Sequence, residues 1–130
     1  MSDIATINAI RSVAAAAAQS AEILVPEWLP EGKRQGGEWT CRNPTRADRH
    51  AGSFSVSLVD GRWHDFATGD GGGDLVALGA YLWNVRQTDA ARIVADRLGL
   101  ILPALGKPDV MSAGQREAQR ERLAAAEREA

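Results

Sequence analysis

Residues 53–66 read "SFSVSLVDGRWHDF", and the folding of this stretch decides the architecture. Phe54, Val56 and Leu58 alternate with Ser53, Ser55 and Ser57, the period-two signature of a strand with one buried face. Asp60-Gly61 favours a hairpin turn. "RWHDF" is then the return strand, with Trp63 and Asp65 on one face and Arg62, His64 and Phe66 on the other. Trp63 and Phe66 point to opposite sides, so one of them leaves the core, and alternation does not say which.

Upstream, "EGKRQGG" (31–37) reads as a loop and "EWTCR" (38–42) as a short strand. That strand carries Trp39 and Cys41 on one face and Glu38, Thr40 and Arg42 on the other. "NPTRADRHAG" (43–52) is a loop without a large apolar anchor. Downstream, "GDGGGD" (69–74) reads as a tight turn that lets strand and helix pack closely, with Asp74 as helix cap. The helix after it stripes Leu75, Leu78, Leu82 and Val85 on one side. Thr88 caps a second helix, with Ala91, Ile93, Val94 and Leu98 apolar and Gly99 as its stop. "LILP" (100–103) closes the core.

The ends are helical. Ser2 and Asp3 cap a helix from Ile4 that Pro26 stops near Leu24 or Val25. Its alanine run, residues 14–18, favours helix but fills little volume, so this helix packs weakly on the body or serves as a linker. Trp28 and Leu29 anchor the chain before Pro30. At the other end, "QREAQRERLAAAEREA" (115–130) has Leu123 as its single large apolar residue and cannot bury a face alone. Three spans result: an N-terminal helix over 1–25, the principal domain over 26–102, and a linker with a charged helix over 103–130. The fold class expected is α+β, a small antiparallel sheet of three to four strands flanked by helices.

Hydrophobic content of 45% and charged content of 25% suit a globular chain. The net charge of −2 argues against a wholesale polyanion binder, but the charge is unevenly placed. Residues 33–50 carry Lys33, Arg34, Arg42, Arg46 and Arg49 against Glu38 and Asp48, between two acidic stretches. One cysteine fits a reducing cytoplasm, and no run of about 18 apolar residues suggests a membrane span. A structural zinc site takes four ligands, mostly Cys and His. The candidates are Cys41, His50, His64 and Asp65, none in a close pair, so no metal or other cofactor is expected. Ser53, Ser55, His64 and Asp65 form no recognisable triad, and no catalytic residue is assigned. Cations interleaved with Trp39, Trp63 and Phe66 point instead to nucleic acid, since arginines neutralise phosphates and rings stack on unpaired bases.

The stretch "EGKRQGGEWTCRNPTRADRHAGSFSVSLVDGRWHDFATGDGGGDLVALGAYL" (31–82) resembles the N-terminal zinc-binding domain of bacterial, phage and plasmid DNA primases, the CHC2-type zinc ribbon. "WTCRNP" stands where that family has Cys-Pro-x-His, "GSFSV" matches its "PSFSV" strand, and "WHDFATGDGGGDLVAL" matches its "HCFGC", glycine run and apolar helix. The similarity covers roughly residues 28–100. Of the family's ligands only Cys41 is present; Pro44 replaces the histidine, and Asp65 and Thr68 replace the paired cysteines. The resemblance implies a ribbon that has lost its metal. Burial of Trp39, Phe54, Trp63 and Phe66, at roughly 2–3 kcal/mol each, would replace a zinc contribution on the order of 10 kcal/mol.

The resemblance further implies a module that binds single-stranded DNA template in replication and primer synthesis, in a mobile-element setting. Its surface would comprise Lys33, Arg34, Arg42, Arg46, Arg49, Arg62, His64, Trp63 and Phe66. Primase nucleotidyl transfer belongs to the larger proteins of that family, and no activity is expected of this chain alone. The rival expectation is a protein-interaction or regulatory module that docks onto a polymerase, toprim or helicase part.

Overall fold

The computed structural model describes residues 4–45, 52–106 and 120–125. Its centre is the hairpin of β3 (Phe54–Ser57) and β4 (Trp63–Asp65). Phe54 pairs with Asp65, Ser55 with His64 and Val56 with Trp63. The connection is a four-residue loop, residues 58–61, closed by the Ser57 N–H donating to the Arg62 carbonyl at 2.7 Å. It is longer than a two-residue turn because Leu58 is itself buried in the core.

β1 (Lys33–Gln35) and β2 (Glu38–Cys41) precede the hairpin, and β5 (Gly71–Gly72) follows it. All five strands pair antiparallel in the order β1-β2-β3-β4-β5. The α+β class with a small antiparallel sheet beside helices is therefore what the molecule has, with five strands against the three or four expected. Both additional strands lie where loop or turn was read. Gly36 and Gly37 form a two-residue turn, Gly36 with φ +60°, which folds Lys33–Gln35 back onto β2. Glycine pairs suit such turns because φ is positive there. Gly72 pairs with Trp63, and a Cβ on it would stand 2.6 Å from the Trp63 indole nitrogen. Only glycine lets β5 lie across that ring, so the expected close approach is real and takes the form of an edge strand.

The helices cover one side of the sheet. α3 (Leu75–Trp83) starts at Asp74, whose Oδ1 accepts from the Ala77 N–H at 2.8 Å. Leu75, Val76, Leu78, Gly79, Leu82 and Trp83 are all buried, a wider apolar face than the expected stripe, because α3 lies between the sheet and the other helices. α4 (Gln87–Leu98) ends at Gly99 in the left-handed conformation, as expected. Thr88 is not its cap: the helix begins one residue earlier, and Asp89 in the first turn accepts from Arg86 and Arg92.

α1 (Ile4–Gln19) is a structural helix rather than a loosely packed arm. Ala9, Val13 and Ala17 are buried, and the helix packs on α3, α4 and the 3-10 turn Pro103–Leu105. Alanine's small volume, read above as weak packing, lets these helices approach closely. The chain breaks at Ser20 and resumes as α2 (Ala21–Trp28), which contains Pro26 instead of ending before it. Pro26 forgoes one bond, to the Glu22 carbonyl. The helix nevertheless continues, because Leu24, Val25 and Leu29 are buried and the Leu29 N–H reaches the Val25 carbonyl at 2.9 Å.

The core extends past residue 102. Leu105 is buried, whereas Ile101, expected inside, is 89% exposed. Residues 120–125 are helical, with Leu123 against the core and the Arg122 guanidinium on the Trp83 carbonyl. The proposed cap at Ser2 and Asp3 and the linker over 107–114 lie outside the described residues. Among the described residues, no helix is long and apolar enough to cross a membrane.

Candidate functional site

Strand register sorts the sheet into two faces. Toward the helices run the rows Arg34, Trp39, Val56, Trp63, Gly72 and Cys41, Phe54, Asp65. Away from them run Gln35, Glu38, Ser57 and Lys33, Thr40, Ser55, His64, Gly71. Carried one step past the strands, the same register sets Arg62 beside Ser57 and Phe66 beside Ser53. The bonds from Ser57 N–H to Arg62 carbonyl and from Phe66 N–H to Ser53 carbonyl agree, the latter at 2.8 Å.

The outward face is a groove, and the side-chain lengths explain it. The central strand contributes only serines, so its floor is low. Glu38 on β2 forms one wall; Arg62, His64 and Phe66 along β4 form the other. The space is open and holds about 430 Å³. Ser55 Oγ donates to Glu38 Oε2 at 2.9 Å, which fixes that carboxylate against the floor. The Phe66 ring meets His64 edge-on at 4.7 Å between centroids and is 71% exposed. Asp60, at the hairpin tip, accepts from the Arg62 N–H at 3.0 Å. That bond, then the Ser57 hydroxyl, holds the Asp60 carboxyl below its ordinary range. The groove thus has an acidic end at the hairpin tip and an aromatic end at Phe66.

Behind the floor, a polar network closes the opposite end of the sheet. Asn43 Nδ2 donates to Asp65 Oδ2 and to the Tyr81 hydroxyl, both at 2.8 Å. The Tyr81 hydroxyl donates to Asp70 Oδ2 at 2.9 Å. Thr45 donates to Asn43 Oδ1 from both its N–H, at 2.9 Å, and its hydroxyl, at 2.7 Å. Asp65 Oδ1 takes the Ala67 N–H at 2.8 Å. Asn43 and Asp65 are buried, and buried polar groups are tolerated when bonded in this way. The Tyr81 ring stacks on Phe54 at 6.2 Å and lies tilted on Trp63 at 4.8 Å.

The structure divides the residues expected to form one surface. Lys33, Arg62, His64 and Phe66 share the outward face, and Arg42 is half-buried just beyond β2. Arg34 leaves that surface: it sits opposite Trp39 on the helix side, where its Nη2 meets Glu22 Oε1 at 2.9 Å. Trp63 leaves it too, being 6% exposed and packed on Phe54 and Tyr81; a ring held there cannot stack on a base. The choice between Trp63 and Phe66 falls this way because α3 covers Trp63's face. Phe66 in turn contributes little to the core it was expected to help close. Arg46, Arg49 and His50 lie outside the described residues.

Cys41 and Asp65 both lie in register with Phe54, one on each side. Asp65 is occupied by hydrogen bonds, and among the described residues no three of His, Cys, Asp and Glu gather where an ion could sit. The donor set there suits hydrogen bonding and does not fit a structural zinc.

Asn43, Tyr81 and Glu38 were not singled out from the sequence. "NPT" (43–45) carries a usable signal, since Asn side chains bond the backbone two residues on. Tyr81 gave none, being one residue within an apolar helix. Comparison with protein-family models, with curated proteins and with solved structures found no match.

Proposed function

We propose that the serine-floored face binds single-stranded DNA as a metal-free module of a cytoplasmic replication or primer-synthesis system. The observation that carries this reading is the open groove on the sheet face, with Phe66, His64 and Arg62 along one wall. Exposed aromatics on an open antiparallel sheet are a recurrent platform for unpaired bases. Lys33 and Arg62 on the same face supply cations for the backbone, and the basic sequence 46–50 follows Arg42 and Thr45 in the chain. The primase-like order of elements, including "GSFSV" and the glycine run before α3, supports the replication setting. In that setting the network of Asn43, Asp65 and Tyr81, together with the rings of Phe54 and Trp63, stands in place of an ion.

Fluorescence anisotropy with a labelled single strand at rising salt tests the reading. Binding at low salt should weaken steeply with salt, and Arg62→Ala should make the salt dependence shallower by about one unit of logarithmic slope. Absence of binding at low salt would sink the proposal.

A second reading, docking onto a polymerase, toprim or helicase part, is favoured by one observation. Glu38 and Asp60 line the same groove as Arg62, and mixed charge suits a protein surface. Binding to such a partner without any binding to the strand would select it.

A further inference from the structure

Among the described residues the sheet ends at β1 on one side and β5 on the other, and a bare edge invites another strand to pair with it. β5 has two residues and offers little. β1 is the longer edge, and all three of its residues are exposed. The bonds of the inner strands say which of its backbone groups are free. The Leu58 N–H donates to the Gly37 carbonyl at 2.8 Å. Successive residues of an antiparallel strand direct their backbone groups to alternate sides, so Trp39, like Gly37, directs its pair to β3. Arg34, opposite Trp39, therefore turns its N–H and C=O away from the sheet. Gly32 and Gly36 flank it on that outward side.

We infer that Arg34 guards the β1 edge against pairing with a second copy of this chain. Two identical edges pair about a two-fold axis. The longest overlap sets Arg34 against its own counterpart, and each Gly32 N–H against the other copy's Gly36 carbonyl. Both members of that second pair are already engaged. The Gly32 N–H donates to the Leu29 carbonyl at 3.1 Å. The Gly36 carbonyl accepts from Arg34 Nε, also at 3.1 Å. Glu22 on α2 holds the same guanidinium through Nη2 at 2.9 Å. Arg34 thus claims a carbonyl that an incoming strand needs, and it places like charges opposite each other, which destabilises a strand pair. This role is independent of what the outward face of the sheet binds.

The test is sedimentation velocity on the full chain, from micromolar to near-millimolar concentration. Wild type should stay monomeric. Arg34→Thr puts a strand-favouring side chain in place of the guanidinium. It should tighten self-association roughly tenfold or more, through one relieved charge pair and one freed carbonyl. Arg34→Lys retains the charge without the Nε donor and should fall between the two. Glu22→Gln leaves the bond to Gly36 in place and should remain monomeric. Hydrogen exchange then locates the contact. The residue-34 amide faces water in the monomer and should exchange freely, and it should become protected in the Arg34→Thr dimer. A folded Arg34→Thr that stays monomeric overturns the inference. So does a dimer whose residue-34 amide still exchanges freely, a Glu22→Gln dimer, or a wild type that already pairs through β1. If Arg34→Thr fails to fold, Arg34→Lys decides: tighter association than wild type upholds the guard, and equal association overturns it.

Discussion

On the helix side of β4, Trp63 lies 5.8 Å from Phe54 and 4.8 Å from Tyr81 between ring centroids, nearly sealed from solvent. On the opposite side, the Phe66 ring meets that of His64 edge-on and stands largely exposed. The two aromatics are three residues apart in one "WHDF" segment and have similar hydrophobicity. What separates their roles is that α3 covers Trp63's face, while among the described residues no helix covers the other. A ring gains stability when neighbours exclude water from both its sides, and it gains a ligand when one side stays open.

The contrast should show first in stability. Phe54→Ala removes the ring at the centre of the buried face and should cost about 4 kcal/mol, measured by urea unfolding. Phe66→Ala on the open face should change stability by less than about 0.5 kcal/mol, yet weaken single-strand binding roughly tenfold, the cost of losing one stacking ring. Equal destabilisation by both variants would erase the distinction between the faces.

The polar network comes next. Asp65→Ala removes one acceptor of the buried Asn43 amide, which keeps the Tyr81 hydroxyl, and the acceptor of the Ala67 N–H, and should cost about 2 kcal/mol. Asp65→Asn keeps an acceptor and should cost less. On the proposed metal-free reading, in which this network closes the end of the sheet, a chelator should leave the melting temperature of the wild-type protein unchanged. A chelator-induced drop would break the comparison at its foundation.

The smallest effect is expected far from both faces. Arg97 on α4 forks onto Glu27 of α2 at 2.7 Å across 70 positions of sequence. The hydrogen bond from Arg97 lowers the Glu27 carboxyl below its ordinary 4.5. The stability this contributes is complete above that ordinary value and disappears as pH falls through the lowered one. Both side chains are nearly half exposed, so solvent screens the pair. The melting temperature should fall slightly less with acidification in Glu27→Gln than in the wild type.

Much of this follows from residues close together in the chain. Alternation in "SFSVSLV" and "RWHDF" sets which side chains share a face, because successive residues on a strand must point oppositely. Asp74 and Gly99 mark helix ends through bonds made within one turn. Those readings needed no partner from elsewhere, and they gave the three central strands, the hairpin and the outward set of Arg62, His64 and Phe66.

Tertiary structure decided what local pattern leaves open. Whether Trp63 or Phe66 is core depends on where α3 lies. That Arg34 turns from the basic cluster depends on Glu22, twelve positions away on α2. The glycine run is a strand because the Trp63 ring leaves no space for a Cβ. Asn43, Asp65 and Tyr81 are 22 and 38 positions apart within their bonded pairs. A lone Asn, Asp or Tyr carries no mark of the neighbour that will satisfy it. Such neighbours are set by packing of whole elements, which depends on volumes and angles that no short window of sequence contains.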